Sequence, residues 1–201
     1  VKTLSCVAVV DEVSQKKIRD LMQHYAKITK TTKALSFMPH ISLWGDFRIE
    51  DNQIETLKTR CNMAVKNRPC ITVKTSTYGH YTWKVTFLDI FKSQQLNDLH
   101  FSIMEIIMSV RTSWVPDALL NSMEHYNAEQ QNIIKENGYQ FSGKFFSPHF
   151  TIVSNDISDE GFISLKNILK NIQEEINCSI TGIEFIDREN DNEPFMHFDL
   201  Q

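Results

Sequence analysis

Hydrophobic positions along this chain recur with two periods, and the switches between them mark out its elements. Residues 4–10 form a short apolar run, and Ile18, Leu21, Met22 and Tyr25 follow at the i, i+3, i+4, i+7 spacing of one helix face. The pattern predicts a strand and then a helix, with Ser14 as N-cap because its hydroxyl can accept a hydrogen bond from a free first-turn amide. From Pro39 to Trp44 the period is two, so His40, Ser42 and Trp44 share one strand face and Ile41 and Leu43 the other. A helical stretch opens at Asp51, continues through Ile54, Leu57, Cys61 and Ala64 or Val65, and is broken by Pro69. Two strand-like runs, 70–77 and 81–90, come next, with a turn expected at Tyr78-Gly79-His80.

Leu96, Leu99, Ile103, Ile106, Ile107 and Val110 then give an apolar helical stripe, widened by Phe101 and Met104. Residues 115–139 read as an inserted polar helical layer, with Pro116 near its start and Gly138 as its C-terminal cap. After it the chain repeats itself. Pro148-His149-Phe150-Thr151 answers Pro39-His40-Ile41-Ser42, Phe162, Leu165, Leu169 and Ile172 mirror the helix after the first motif, and Cys178 answers Cys70. Runs 180–186 and 195–200 close the second unit across a polar turn at 188–193, as 81–90 closes the first. Read as a duplication, the chain is a single α+β domain over 1–201 whose pseudo-two-fold axis sets the two His strands side by side in a groove between lobes.

At 201 residues the chain can bury a core as one domain or as two lobes sharing an interface. Its 41% apolar and 23% charged residues are ordinary for a folded protein. A net charge of −4 argues against a broad electrostatic grip on duplex nucleic acid, but leaves room for a nucleotide or a strand end. Cys6, Cys61, Cys70 and Cys178 form no CxxC pair and sit in apolar or helical stretches, which reads as buried reduced thiols in a cytoplasmic protein. No run is long and apolar enough for a membrane span. Residues 4–10 lie against Asp11 and Glu12, so a first strand fits them better than a signal core. A monomer is expected, and the opening Val1 reads as a trimmed or processed end.

The candidate chemistry lies in the repeated motif. Residues i and i+2 of a strand project from one face, so each His and its hydroxyl partner can meet one substrate group. Phosphoryl transfer at a ribose hydroxyl needs a base for the attacking oxygen and an acid for the leaving one. Two imidazoles with unperturbed pKa near 6.5 can supply both around neutral pH. Ser42 and Thr151 would donate to non-bridging phosphate oxygens, and the scheme requires no metal and no cofactor. The competing interpretation of His40 and His149 is a pair of strand histidines with satisfied hydrogen bonds. There is no nucleophile elbow, P-loop, dinucleotide fingerprint or HExxH. His80, His100, His125 and His197 show no ligand spacing.

His40-Ile41-Ser42 and His149-Phe150-Thr151 resemble the paired motifs of the two-histidine phosphoesterase superfamily, which includes bacterial RNA ligase-like proteins, cyclic phosphodiesterases and viral enzymes that degrade 2′,5′-oligoadenylate. The resemblance implies a bilobal α+β fold, each lobe an antiparallel sheet with helices outside and a central catalytic groove. It also implies His40 and His149 as acid and base, with Ser42 and Thr151 on the phosphate. Two departures stand out: Ser42 replaces the commoner Thr, and residues 115–139 lengthen the gap between motifs. Tyr126-Asn127 with Gly138-Tyr139 looks like bacterial members, whereas the closing Phe198-Asp199-Leu200-Gln201 resembles a polyprotein cleavage end and points to a virus.

The expected function is a metal-independent phosphodiesterase acting on RNA termini or oligonucleotides, 2′,3′-cyclic or 2′,5′-linked. The alternatives are a nucleotide- or RNA-end-binding module with the same groove, or a 2′,5′ RNA ligase. Trp44, Tyr78, Tyr81, Trp83 and Phe146 are candidates for stacking on a base, against the alternative of ordinary packing aromatics. Lys74, Lys84 and Lys144, and the run Lys16, Lys17 and Arg19, read as solvated charges.

Overall fold

β1 (Lys2–Val10) runs antiparallel to β2 (His40–Ile49) on one side and to β6 (Asn177–Asp187) on the other in the computed structural model, which describes residues 1–201. Leu4, Cys6, Ala8 and Val10 point to one face and are almost fully buried. Behind them pack α2 (Ile54–Val65) and α3 (Gln94–Val110), with buried Leu57 and Cys61 from the first and Leu96, Leu99, Ile103 and Ile107 from the second. The expected stripe of α3 is therefore the buried one, except that Phe101 stands out to solvent.

A second sheet portion holds β3 (Ile71–Tyr81), β4 (Val85–Ile90) and β5 (His149–Val153), with α1 (Glu12–Thr29) packed on it and α6 (Asp159–Leu169) beside that helix. β3 joins the two portions. Its first residues, Ile71–Lys74, pair with β6, and Tyr78–Tyr81 pair with β4. The strand order is β2-β1-β6-β3-β4-β5, with β7 (Glu193–Asp199) on the free side of β6. That order reads the same from either end once β2 is exchanged for β5, β1 for β4 and β6 for β3. The α+β class and the two sheet-and-helix halves are as the sequence predicts, with one rearrangement. Each half does not close on itself, because β4 from the first half pairs the second His strand and β6 from the second half pairs β1. Strand pairing is a long-range choice of edges that a local repeat does not encode.

Several boundaries move for identifiable reasons. The N-cap of α1 is Asp11, not Ser14. Its carboxylate accepts from the Ser14 amide at 3.0 Å and the Ser14 hydroxyl at 2.5 Å, and also from the Ser179 amide on β6 at 3.1 Å. Residues 78–80 are strand, and the hairpin turns at 82–84, with Lys84 at φ 63°. Gly79 is needed not for a turn but for space, because any side chain there would run into the ring of Phe87 on the neighbouring strand. Cys70 is exposed, whereas Cys6, Cys61 and Cys178 are buried free thiols as expected. The insertion is helical only in part, as the single turn α4 (Asp117–Leu120) and α5 (Ala128–Asn137), which Gly138 ends at φ 73°. No helix is long and apolar enough to cross a membrane.

Candidate active site

β2 and β5 lie at opposite ends of the strand order, and the curl of the sheets brings them into contact. Cross-strand register fixes which face each motif presents. His40 lies opposite Val9 and Ser42 opposite Val7; His149 lies opposite Asp89 and Thr151 opposite Phe87. Ile41 and Phe150, between the motif residues, are fully buried on the other faces. His40, Ser42, His149 and Thr151 therefore project from two sheets into one cleft, and strand alternation alone places them there.

The cleft has two halves that share Ser42, Gly45, Asp46, Val85 and Thr151. One, of about 250 Å³, is lined by His40, Phe37, Met38 and Arg188, and the other, of about 350 Å³, by His149, Tyr81, Trp83, Tyr139 and Phe141. Both motif hydroxyls thus sit at the junction, with one imidazole to each side.

The two rings are held in the same way. His40 Nδ1 is 2.7 Å from the Met38 carbonyl, and His149 Nδ1 is 2.7 Å from the Ser147 carbonyl, two residues back in each case. A carbonyl only accepts, so Nδ1 carries the proton in both and Nε2 keeps its lone pair. The proline between each His and its carbonyl, Pro39 or Pro148, has a fixed φ, which restricts the backbone that joins ring and carbonyl. The motif is thus a four-residue device, carbonyl, Pro, His and, two residues on, a hydroxyl.

Burial holds the His149 pKa down to about 4; its Ser147 bond works against this and the neighbouring His40 works with it. Burial lowers His40 as well, its bond to Met38 opposing, with Arg188 lowering it further and Glu184 opposing. Both shifts favour the neutral ring at pH 7. An acid-base pair needs one of them protonated, so kcat/KM for a phosphodiester should be highest on the acid side of pH 6.5 and fall toward pH 8. A rate profile in mixed buffers of constant ionic strength checks this, and an optimum above pH 7.5 would contradict it.

The aromatic candidates divide. Tyr81 and Trp83 line the His149 side and stack on each other at 4.5 Å and 12°. Tyr81 also meets the edge of His149 at 5.6 Å, and burial raises its phenol to about 12. Trp44, Tyr78 and Phe146 do not offer a free face. Trp44 is 0% exposed against Tyr139, because β2 gains an extra residue between Ser42 and Trp44 relative to β1, and this bulge turns Trp44 toward the core beside Cys6. Tyr78 lies on the α1 side against Tyr25. Phe146 is stacked on buried His100 at 4.0 Å and 5°.

His100 itself is a brace: Nδ1 donates to the Leu43 carbonyl on β2, and Nε2 accepts from the Gly143 amide ahead of β5. Sequence reasoning passed over Asp46 and Arg188. Asp46 is six residues past His40, and Arg188 looked like part of a polar turn; their ion pair of 3.0 Å joins β2 to the end of β6 inside the cleft. Lys74, Lys84 and Lys144 pair with surface carboxylates, away from the cleft lining. No three His, Cys, Asp or Glu side chains are arranged to hold a metal ion.

This arrangement is a fold found in other solved structures. Among solved structures, the chain resembles LigT of E. coli complexed with NADP+, at 11% identity and a TM-score of 0.59, over 100% of this chain and 98% of that one. It resembles a structure described as a phosphoesterase at 12% identity and 0.59, over 100% and 98%. TT0787 of Thermus thermophilus is similar at 9% identity and 0.60, over 98% and 97%. No protein-family model and no curated protein matches the sequence.

Proposed function

We propose that the chain is a two-histidine phosphoesterase that breaks a phosphodiester of an RNA terminus or oligonucleotide by general acid-base catalysis, without a metal. The observation that carries this is the matched fixing of His40 and His149 by the carbonyl two residues back, on two strands that face one cleft with Ser42 and Thr151 between them. Structural rings have no need to leave the same nitrogen free at mirror-related positions.

One Nε2 removes the proton from the attacking hydroxyl of ribose or water, and the other, protonated, delivers a proton to the leaving oxygen. Ser42 and Thr151 donate to the non-bridging oxygens, where negative charge gathers in the transition state. Tyr81, Trp83 and Phe141 offer apolar rings to a base on the His149 side. LigT structures are described as complexes with ATP and with 3′-AMP, which supports a nucleotide as the kind of ligand to test here.

The test is a panel of 2′,3′-cyclic nucleotides and 2′,5′- and 3′,5′-linked oligoadenylates, assayed with EDTA present. The proposal expects turnover of at least one class, unchanged by the chelator; binding without product in every row would favour the binding module instead. For whichever substrate turns over, Trp83→Ala should raise KM by about 5- to 100-fold with a smaller change in kcat, the effect of losing one stacked ring. An unaltered KM would remove Trp83 from the site.

A further inference from the structure

The cleft has an unusual charge inventory for a phosphate site. Apart from the two titratable imidazoles, the ionisable side chains that line it with opposite charge are one carboxylate, Asp46, and one guanidinium, Arg188, and no lysine lines it. Asp46 is aimed by a feature of β2. Between Trp44 and Phe47 the strand gains a second extra residue relative to β1, and the chain there runs through Gly45, over which the Tyr139 ring lies so closely that a Cβ would sit 2.7 Å from it. Bulges of this kind re-aim side chains beside active sites. Here one bulge sets the Trp44 side chain in the core, although the residue still borders the His40 half, and the next leaves Asp46 on the lining of both halves, beside Ser42 and Thr151.

The pair is also anchored. Arg188 Nε is 3.0 Å from Asp46 Oδ1, Nη1 donates to Asn192 Oδ1 at 2.5 Å, and the guanidinium lies 5.8 Å over the Phe37 ring. Nη1 is thereby hydrogen-bonded to the protein, while Nε lies at ion-pair distance from Asp46 without a hydrogen bond to it. Burial raises the Asp46 carboxyl, and the Arg188 charge beside it opposes that shift. A site built only to attract phosphate gains nothing from a carboxylate at its centre, since like charges at this range repel and the cleft walls screen them poorly.

We infer that Asp46 is a specificity-determining residue that selects phosphate groups by charge, admitting the monoanion of a phosphodiester and disfavouring the dianion of a phosphomonoester. The inference rests on the phosphoesterase reading of the cleft and adds a substrate boundary to it. A diester brings one negative charge, which Arg188 and the hydroxyls accommodate. A terminal phosphomonoester brings nearly two at neutral pH, and the second meets Asp46. The same selection would weaken the hold on a phosphomonoester product relative to the diester it came from.

The experiment compares two ligands that differ by one charge, 2′-deoxyadenosine 3′-phosphate and its methyl ester, neither of which has a 2′-hydroxyl to attack the phosphate. Dissociation constants are measured at pH 7.5 by calorimetry for the wild-type protein, Asp46→Asn and Arg188→Gln, with thermal unfolding confirming that each variant is folded. The wild type should bind the methyl ester at least as tightly as the monoester. Asp46→Asn should move the ratio of the two constants by about tenfold or more toward the monoester, and Arg188→Gln should move it the other way. Equal changes for both ligands in Asp46→Asn, or a shift toward the diester, would overturn the selection while leaving the catalytic proposal in place. Failure of the wild type to bind either ligand would defeat the selection together with the phosphate reading of the cleft.

Discussion

Replacing His149 with Ala should lower kcat for the best substrate by about 10²- to 10⁴-fold, the usual contribution of one positioned general acid or base. His40→Ala should do the same. Both rings are half-buried at the cleft wall rather than packed in the core, so truncation leaves no interior cavity and the thermal midpoint should change little. The two losses should not add. Once one imidazole is gone the other has no partner for proton transfer, and the double variant should be close to either single one. Ser42→Ala and Thr151→Ala belong to the same test on a smaller scale, each removing one hydrogen-bond donor to the phosphate. The structure gives a further control. Ser147 and Met38 act through their carbonyls, so their side chains can be changed without touching the bonds that fix the rings. Steady-state kinetics of the purified variants, with circular dichroism for the fold, decide the matter. A single His variant with more than a tenth of wild-type kcat would remove that residue from the chemistry.

The largest expected effect on stability is at Trp44. Its side chain is 0% exposed and packs on Tyr139 within the main core, so Trp44→Ala should destabilise the protein by about 3 to 5 kcal/mol. The milder Trp44→Phe should keep the fold and leave substrate KM close to wild type, since the indole is 0% exposed and packed on Tyr139, with no free face for a base. Sequence alternation assigns Trp44 the opposite role, as a ring on the ligand face. Denaturant unfolding of both variants, with KM for the folded one, separates the two accounts: a stable Trp44→Ala protein with a strongly raised KM would restore Trp44 to the binding surface.

The contrast between Trp44 and its neighbours shows what was legible. His40 and Ser42 could be placed because alternation is local and two residues are enough to state it. The same held for His149 and Thr151, and their repetition after a proline supplied the link between distant segments. Trp44 lies one bulge further along, and an extra residue in one strand is defined only against its partner, β1, which the local pattern does not contain. The hairpin turn was misplaced for a similar reason. Gly79 looks like a turn residue, but its smallness serves the Phe87 ring across the sheet. Arg188 was hidden by its setting in a polar turn, although the fold carries it into the cleft beside His40. Strand order was the least accessible feature, because apolar runs specify that a strand is buried without naming the edge that receives it.

Much of the α-helical framework was nevertheless readable. The stripe of α3, the cap at Gly138 and the apolar face of α1 follow from spacing and end chemistry that each segment carries by itself. What the folded chain adds is convergence. His100 ties β2 to the segment before β5, and Asp156, just beyond β5, accepts from the amides of Thr32 and Lys33 at 2.8 and 2.9 Å ahead of β2. These two polar ties lie on segments that frame the motifs and keep the separation of the imidazoles from being left to apolar packing alone.

The most direct measurement is a ¹⁵N-detected NMR titration of the imidazole nitrogens with the methyl ester of 2′-deoxyadenosine 3′-phosphate, a diester that cannot undergo attack by its own ribose. In the free protein both His40 and His149 should show protonated Nδ1 and unprotonated Nε2. Addition of the ligand should shift both Nε2 resonances along one saturation curve, because one phosphate sits between them. Movement of only one ring at saturation, or either ring found with its proton on Nε2, would contradict the account of two imidazoles acting on a shared phosphate.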